Sequence, residues 1–449
     1  MMNVKEIIEA TGGHFLYGDP NKKISGVSID SRTIRPRNLF IALKGKRYDG
    51  HRFLLSAVQK KASVVLVSQR PKKHILNVSI IVVEDTARAL EDLAQFYRSR
   101  FSIPIIAITG SSGKTTTKEL IASVLSKKFN ILKSLSTENN FIGVSKTLLK
   151  LKPKHDIAIL EFGTNHFGEI ENLARIAHPT ISVLTNIGES HLAFLKTPAG
   201  VFREKKAIYK NLNKNGIVVF NNDDFFLKKI SLERSKARKV SFSIQRRSSC
   251  QAKSVKRTEK GIEFSIGSKK IFIKAFSSSY VYNALCAIVV GRLFKIPSKE
   301  IKECIARNRL PKQRQHCYRT KKKFWIIDDT YNANPLSVKS AIESLACFSA
   351  KGKRVFVFGD MNELGLKAKA AHESVGRQVA KSNIDCFVTV GKRAKLASNS
   401  IKNKKIIKAN FLSCSPASKF LKTLIAPDDV VLIKGSRSVR MEEIVRKIG

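Results

Sequence analysis

The segment Ile105-Ile106-Ala107-Ile108-Thr109-Gly110-Ser111-Ser112-Gly113-Lys114-Thr115-Thr116-Thr117-Lys118-Glu119 has the residue types and spacing to hold a chain of phosphates. An apolar run leads into two glycines, which let backbone N–H groups turn inward around an anion. Lys114 adds charge at the outer phosphates, the Thr115 hydroxyl can reach a Mg²⁺ ion, and the start of the following helix adds its dipole. Gly110, Ser111, Ser112, Gly113, Lys114, Thr115 and Thr116 are the candidate phosphate contacts, and ATP is the expected nucleotide. The general pattern puts its first glycine five residues before the second. That position is Ile108 here, so the loop is a shortened variant.

Other groups with chemical potential stand just after apolar runs. Glu161 follows 157–160 and precedes Phe162 and Gly163, and His191 lies in Thr185-Asn186-Ile187-Gly188-Glu189-Ser190-His191, after 181–184. A carboxylate at such a point suits a metal near the phosphates. Mg²⁺ favours oxygen, so His191 taken alone is an ordinary polar loop residue. Asp328 and Asp329 follow 324–327, and Lys434-Gly435-Ser436-Arg437 follows 430–433 with the makings of an anion-binding turn.

Positioning these groups falls to alternating strands and helices. Continuous apolar runs at 103–108, 157–160 and 181–184, each ending in small or polar residues before a helix-period segment, predict parallel strands buried on both faces. The rhythm restarts at 324–327, 355–358, 387–390 and 430–433, after the linker Leu310-Pro311-Lys312-Gln313 and a helical stretch ending near Asn308. The fold class is therefore α/β in three domains: a small mixed α/β unit at 1–100, a parallel-sheet phosphate-loop unit at 101–311, and a second α/β unit at 312–449. In such sheets ligands gather at the carboxyl ends of strands, where the groups above stand.

Composition bounds the function further. A chain of 449 residues with 43% hydrophobic and 26% charged residues is an ordinary globular protein of several domains. No apolar run approaches the roughly 18–20 residues of a membrane span, and the first ten residues lack the pattern of a signal peptide, so a cytoplasmic location is expected. Seven scattered cysteines form neither a metal set nor a disulfide framework. The net charge of +48 divides into +9 over 1–100, +22 over 101–311 and +17 over 312–449. Such a balance suits polyanionic partners (nucleotides, acidic metabolites, nucleic acid or an anionic membrane surface), but so even a spread, without interleaved stacking aromatics, favours a general lysine bias over a nucleic-acid groove.

Thr109-Gly110-Ser111-Ser112-Gly113-Lys114-Thr115 resembles the ATP loop of the Mur ligase family. Asp328-Asp329-Thr330-Tyr331-Asn332-Ala333-Asn334-Pro335, Gly359-Asp360-Met361-Asn362-Glu363-Leu364-Gly365 with His372, and Lys434-Gly435-Ser436-Arg437 resemble motifs of its members that add D-alanyl-D-alanine. Near the start, Asp30-Ser31-Arg32, Leu39-Phe40-Ile41-Ala42-Leu43 and Asp49-Gly50-His51 resemble the nucleotide-sugar-binding domain, making Ser31 and Arg32 substrate candidates. The resemblance covers essentially the whole chain and implies a UDP-substrate domain, a central ATPase-like domain and a C-terminal Rossmann-like domain. The activity it implies is phosphorylation of the terminal carboxylate of UDP-MurNAc-tripeptide by ATP, with Mg²⁺. The amine of D-Ala-D-Ala then attacks the acyl phosphate, giving the UDP-MurNAc-pentapeptide used for peptidoglycan. A monomer is expected.

The resemblance also assigns residues. His191 becomes a metal ligand beside Thr115 and Glu161. Lys205 in Val201-Phe202-Arg203-Glu204-Lys205-Lys206-Ala207 falls where the family carries a carbamylated lysine. Glu204 stands there for a usual small residue and Ala207 for a usual Glu, and Lys206 leaves the register open by one. Asn283 resembles an adenine contact, although Ser279-Tyr280 replaces the usual His-Asn before it. Arg314, after Gln313 rather than Gly, matches an arginine that could reach the γ-phosphate. Asp329 could hold ribose or a metal-bound water. Asn332 and Asn334 could meet the peptide or dipeptide, and Lys434, Ser436 and Arg437 a carboxylate. Asp360 and Glu363 could bind the incoming amine or cap the following helix. The rival readings are another ligase of this family, a folylpolyglutamate synthase-like enzyme, and, from a different class, a nucleic-acid-binding phosphate-loop ATPase.

Overall fold

The computed structural model describes residues 2–45, 48–135, 137–210, 212, 214–307 and 310–449. The chain divides into two units. The first comprises Met1–Ala107, Asn130–Gly163 and Glu169–Thr180, and the second Ile108–Phe129, Thr164–Gly168 and Ile181–Gly449.

In the first unit, strands Gly26–Ser28, Asn38–Ile41, Val64–Val67 and Ser79–Val82 run parallel in that order. The strand His14–Tyr17 closes the far edge antiparallel to Ser79–Val82. Val64–Val67 is buried at every position, as a continuous apolar run between two covered faces should be. Helix Val4–Thr11 starts at a capping box, in which the Asn3 side chain accepts from Glu6 N while Glu6 accepts from Asn3 N. Helix Thr86–Ser99 starts from an Asp85 cap. The same unit holds the parallel pair Ile131–Lys133 and Ile157–Glu161 with helices Phe141–Leu148 and Glu169–Ala177.

In the second unit, Ile181–Leu184, Ile217–Asn221, Arg238–Ser243 and Cys250–Gln251 are parallel neighbours. Helix Ser279–Leu293, apolar on nearly every side, is buried and packs on helix Lys114–Leu125. An antiparallel ribbon of Lys253–Thr258, Gly261–Ile266 and Lys269–Ile273 follows the parallel strands. Beyond helix Ser298–Arg307, whose expected end near Asn308 lies outside the described residues, comes a six-stranded sheet. Its order is His316–Arg319, Trp325–Asp329, Val430–Lys434, Arg354–Gly359, Cys386–Val390 and Ile407–Phe411. All pairs but the first are parallel, and apolar clusters cover both faces.

Three strands run further than their apolar residues suggest. Glu161, expected just past its strand, is the last residue of Ile157–Glu161. Asp328 and Asp329 likewise end Trp325–Asp329 rather than follow it. Lys434 ends Val430–Lys434, and the ladder aligns Asp329 with Lys434. Opposite charges neutralise each other at that point, so the ladder survives past the last apolar residue. All seven cysteines are free thiols, five of them buried. No described helix is long and apolar enough to cross a membrane.

Candidate active site

Helix Lys114–Leu125 begins at Gly113, which sits at φ 81° and supplies no side-chain cap. The first N–H groups of this helix are thus offered to whatever occupies the loop. Gly110 has φ 151°, and a Cβ there would lie 1.9 Å from Thr185 Oγ1, so no larger residue fits. The loop is braced by the end of strand Ile181–Leu184. Ser112 N donates to Asn186 Oδ1 at 2.8 Å, Asn186 Nδ2 donates to Ser112 O at 3.1 Å, and Thr185 Oγ1 donates to the same carbonyl at 2.7 Å. Ser111 Oγ donates to Gly188 O at 3.1 Å and accepts from Gly188 N at 2.9 Å. Lys114 Nζ donates to Gly110 O at 2.8 Å, folding its charge over the loop, while Thr115 and Thr116 are buried. Sequence reasoning missed Thr185 and Asn186 as loop braces. Their place directly after an apolar strand was the available signal.

Residues expected from later in the chain converge on this loop. Arg314 Nη2 donates to Thr115 Oγ1 at 3.0 Å, and Asn334 Nδ2 donates to Ser111 O at 3.1 Å. The Asn334 Oδ1 caps helix Pro335–Ala346 through Ser337 N at 2.8 Å. Asn283 is buried, its Oδ1 accepting from Thr117 Oγ1 at 3.2 Å and lying 2.6 Å from where a Cβ on Gly113 would be. Lys434 Nζ donates to Asp329 Oδ2 at 2.7 Å and to Asn332 O at 2.9 Å. Burial pushes the Asp329 carboxyl up and the Lys434 ammonium down, and each charge opposes the other's shift.

His191, at φ 53°, has Nδ1 2.7 Å from Glu363 Oε2, and Glu363 itself sits at φ 65°. The imidazole holds the Glu363 carboxyl below its ordinary range against the opposing effect of burial. Helix Pro198–Lys206 separates the two lysines: Lys205 is 1% exposed, whereas Lys206 is half-buried with Nζ 3.2 Å from Glu233 Oε1. Glu204 is buried beside them, accepting from Gly168 N at 2.7 Å and Thr164 Oγ1 at 3.2 Å. Glu161, in the first unit, is buried, and its Oε1 accepts from Asn139 Nδ2 at 3.2 Å. Asn139 was not singled out from sequence, because nothing local distinguishes it from other loop asparagines.

The remaining candidates have these partners. Ser31 is buried at the start of a short 3₁₀ turn, and the exposed Arg32 folds back on Asp30, Nη2 to Oδ2 at 2.7 Å. This pairing holds the Asp30 carboxyl down at about 2. Asp360 Oδ1 accepts from Ala394 N at 2.6 Å, so it caps helix Ala394–Asn399 rather than the helix that follows it in sequence. Ser436 Oγ accepts from Asn362 N at 2.8 Å, and Arg437 Nη1 lies 3.0 Å from Glu442 Oε1. His372 is a buried brace, Nε2 accepting from Met361 N at 3.0 Å while Nδ1 lies 2.6 Å from Ala368 O. Burial keeps its pKa low.

Comparison with known proteins places three family models along the chain. The one described as Mur ligase middle domain matches 108–291, Mur ligase, glutamate ligase domain matches 313–437, and Mur ligase family, catalytic domain matches 23–98. The UDP-N-acetylmuramoyl-tripeptide–D-alanyl-D-alanine ligase of Bacillus subtilis is 31% identical, over 99% of this chain and 97% of its own. The Escherichia coli protein of that name is 34% identical, over 95% and 94%. Among solved structures, MurF from Acinetobacter baumannii superposes with a TM-score of 0.92 at 29% identity, covering 99% of this chain and 98% of that one. The MurF ligase from Thermotoga maritima, solved in complex with ADP, gives 0.83 at 28% identity, covering 95% and 97%.

Proposed function

This chain belongs to the Mur ligase family, and we infer that it joins D-alanyl-D-alanine to UDP-N-acetylmuramoyl-tripeptide, using ATP, in peptidoglycan synthesis. The observation that carries the chemistry is the convergence of Arg314 and Asn334 on the phosphate loop. Phosphoryl transfer needs little covalent help and depends on aligned charge, which Lys114, the loop N–H groups and Arg314 supply. The γ-phosphoryl group passes to the terminal carboxylate of the tripeptide and ADP leaves. The dipeptide amine then attacks the acyl carbon, and phosphate departs as the new C–N bond forms.

The domain bounds 1–100, 101–311 and 312–449 and the residue roles belong to this proposal. Gly110 to Thr116 would hold the phosphates, Asn283 would face adenine and Asp329 ribose, while Ser31 and Arg32 would meet the UDP end. Asn332, Asn334, Asp360, Glu363, Lys434, Ser436 and Arg437 would line the peptide and dipeptide side. The proposed setting is a monomer in the cytoplasm, with a place in cell-wall growth and division.

Mg²⁺ is part of the same reading. Thr115 offers a hydroxyl and the buried Glu161 a carboxylate, hard oxygen donors of the sort Mg²⁺ takes. Among the described residues no three His, Cys, Asp or Glu side chains cluster as a cage. When bound, the ion would neutralise charge on the transferring phosphoryl group. His191 and Lys205 keep the ligand roles their motif positions suggest, Lys205 as the carbamate. Its burial beside a Lys206 already paired to Glu233 favours that register.

An acceptor screen tests the assignment within the family. With ATP and UDP-MurNAc-tripeptide, D-Ala-D-Ala is expected to give a pentapeptide product by mass. Single amino acids or glutamate should give none. Preferential use of a single amino acid on a shorter UDP-peptide would make the chain a different ligase of the family.

A further inference from the structure

Arg314 is a long, flexible side chain in an unusual stretch of backbone. Its neighbours on both sides, Gln313 at φ 61° and Gln315 at φ 54°, hold the left-handed conformation that non-glycine residues rarely adopt. Such a conformation persists only where the surroundings over-determine it. Here they do. Tyr331 N donates to Gln313 O at 3.2 Å, and Tyr280 Oη donates to Arg314 O at 3.2 Å. Gln315 is buried, with Ser344 Oγ donating to its Oε1 at 2.6 Å. The side chain is fixed as well: the Arg314 guanidinium carbon lies 3.8 Å from the centroid of the Tyr331 ring, within cation–π range, while Nη2 reaches the Thr115 hydroxyl.

We propose that Tyr331 and Tyr280 form a clamp that holds the Arg314 guanidinium at the phosphate loop, making both tyrosines positioning residues for phosphoryl transfer. The proposal rests on the reading of Arg314 as the cation that meets the γ-phosphate. Tyr331 presents a flat, electron-rich face, which limits the guanidinium to a plane above the ring. Tyr280 fixes the backbone from which that side chain springs. Tyr280 is buried and takes the place in sequence where the resemblance would put part of a His-Asn pair, and in this chain its hydroxyl serves the Arg314 carbonyl. A preorganised guanidinium needs no reorganisation as charge develops on the transferring group.

Steady-state kinetics of the full-length chain with ATP, UDP-MurNAc-tripeptide and D-Ala-D-Ala test the clamp. Tyr331→Leu is expected to lower kcat about tenfold with little change in KM for ATP, the scale of removing one cation–π interaction. Tyr331→Phe keeps the ring and should retain most activity. In an Arg314→Ala background, Tyr331→Leu should cost nothing further, because the effects of residues that touch and act through one another do not add. Tyr280→Phe, which removes only a hydroxyl and carries little folding risk, should lower kcat about threefold to tenfold. Two results overturn the proposal while leaving the role of Arg314 intact: a raised KM for ATP at normal kcat in Tyr331→Leu, or losses that multiply in the double variant. Full activity of Arg314→Ala would instead sink the underlying reading, and the clamp with it.

Discussion

Lys114→Ala will lower ATP-dependent ligation by about 10²-fold or more while leaving the fold intact. That is the scale of removing one preorganised electrostatic interaction from a phosphoryl-transfer site. Lys114 stands at the first position of its helix, and its Nζ already arches over the loop to Gly110 O at 2.8 Å. The charge is thus held where outer phosphates would sit rather than in solvent. The loop does not need Lys114 to keep its shape. Thr185 and Asn186 hold Ser112 by three hydrogen bonds, and Gly110 fits only because it lacks a side chain. The variant should therefore show unchanged circular dichroism with turnover abolished or nearly so. Near-normal turnover in a folded Lys114→Ala protein would end the phosphate-loop assignment.

The second large effect concerns Lys205. If this lysine carries a carbamate, Lys205→Ala and Lys205→Arg will be damaging alike, each by about 10–100-fold or more, the range for losing a group that sets up a metal site. Arginine keeps the positive charge but does not readily take up CO₂, so charge alone should not rescue function. Lys206→Ala should be mild, since Lys206 is half exposed and its Nζ serves Glu233, which Tyr209 Oη also bonds at 2.8 Å. Stripping bicarbonate from the buffer should depress the activity of the unaltered protein, and adding it back should restore it. Loss of activity in Lys206→Ala with normal Lys205 variants would shift the register by one residue. Full activity in all three variants would remove the carbamate altogether.

What could be read beforehand follows from how local each signal is. The turn between strand Ile105–Thr109 and helix Lys114–Leu125 was legible because its glycines, lysine and threonine stand within one short stretch. Parallel strands were legible because both faces are buried, leaving unbroken apolar runs such as Val355 to Phe358. The same criterion cut strands short at Glu161, Asp328 and Lys434, where pairing continues through charged residues. It also passed over Lys253–Thr258 and Ile407–Phe411, strands with little burial, in which basic and polar residues hide the period. Thr185, Asn186, Asn139 and Tyr331 were missed as supports because each acts on a residue distant in sequence. Lys205 and Lys206 could not be separated by spacing alone. They differ in which side of one helix turn faces the interior, and that depends on packing.

The ligase reaction shows most plainly in the joint substrate dependence of phosphate release from ATP. Rapid release, with one ADP per pentapeptide formed, is expected only when UDP-MurNAc-tripeptide and D-Ala-D-Ala are both present. Either alone should leave release near background, because the acyl phosphate must form on one substrate and be consumed by the other. Hydrolysis that proceeds equally well without them, or that responds to added DNA or RNA instead, would rule out this ligase reaction.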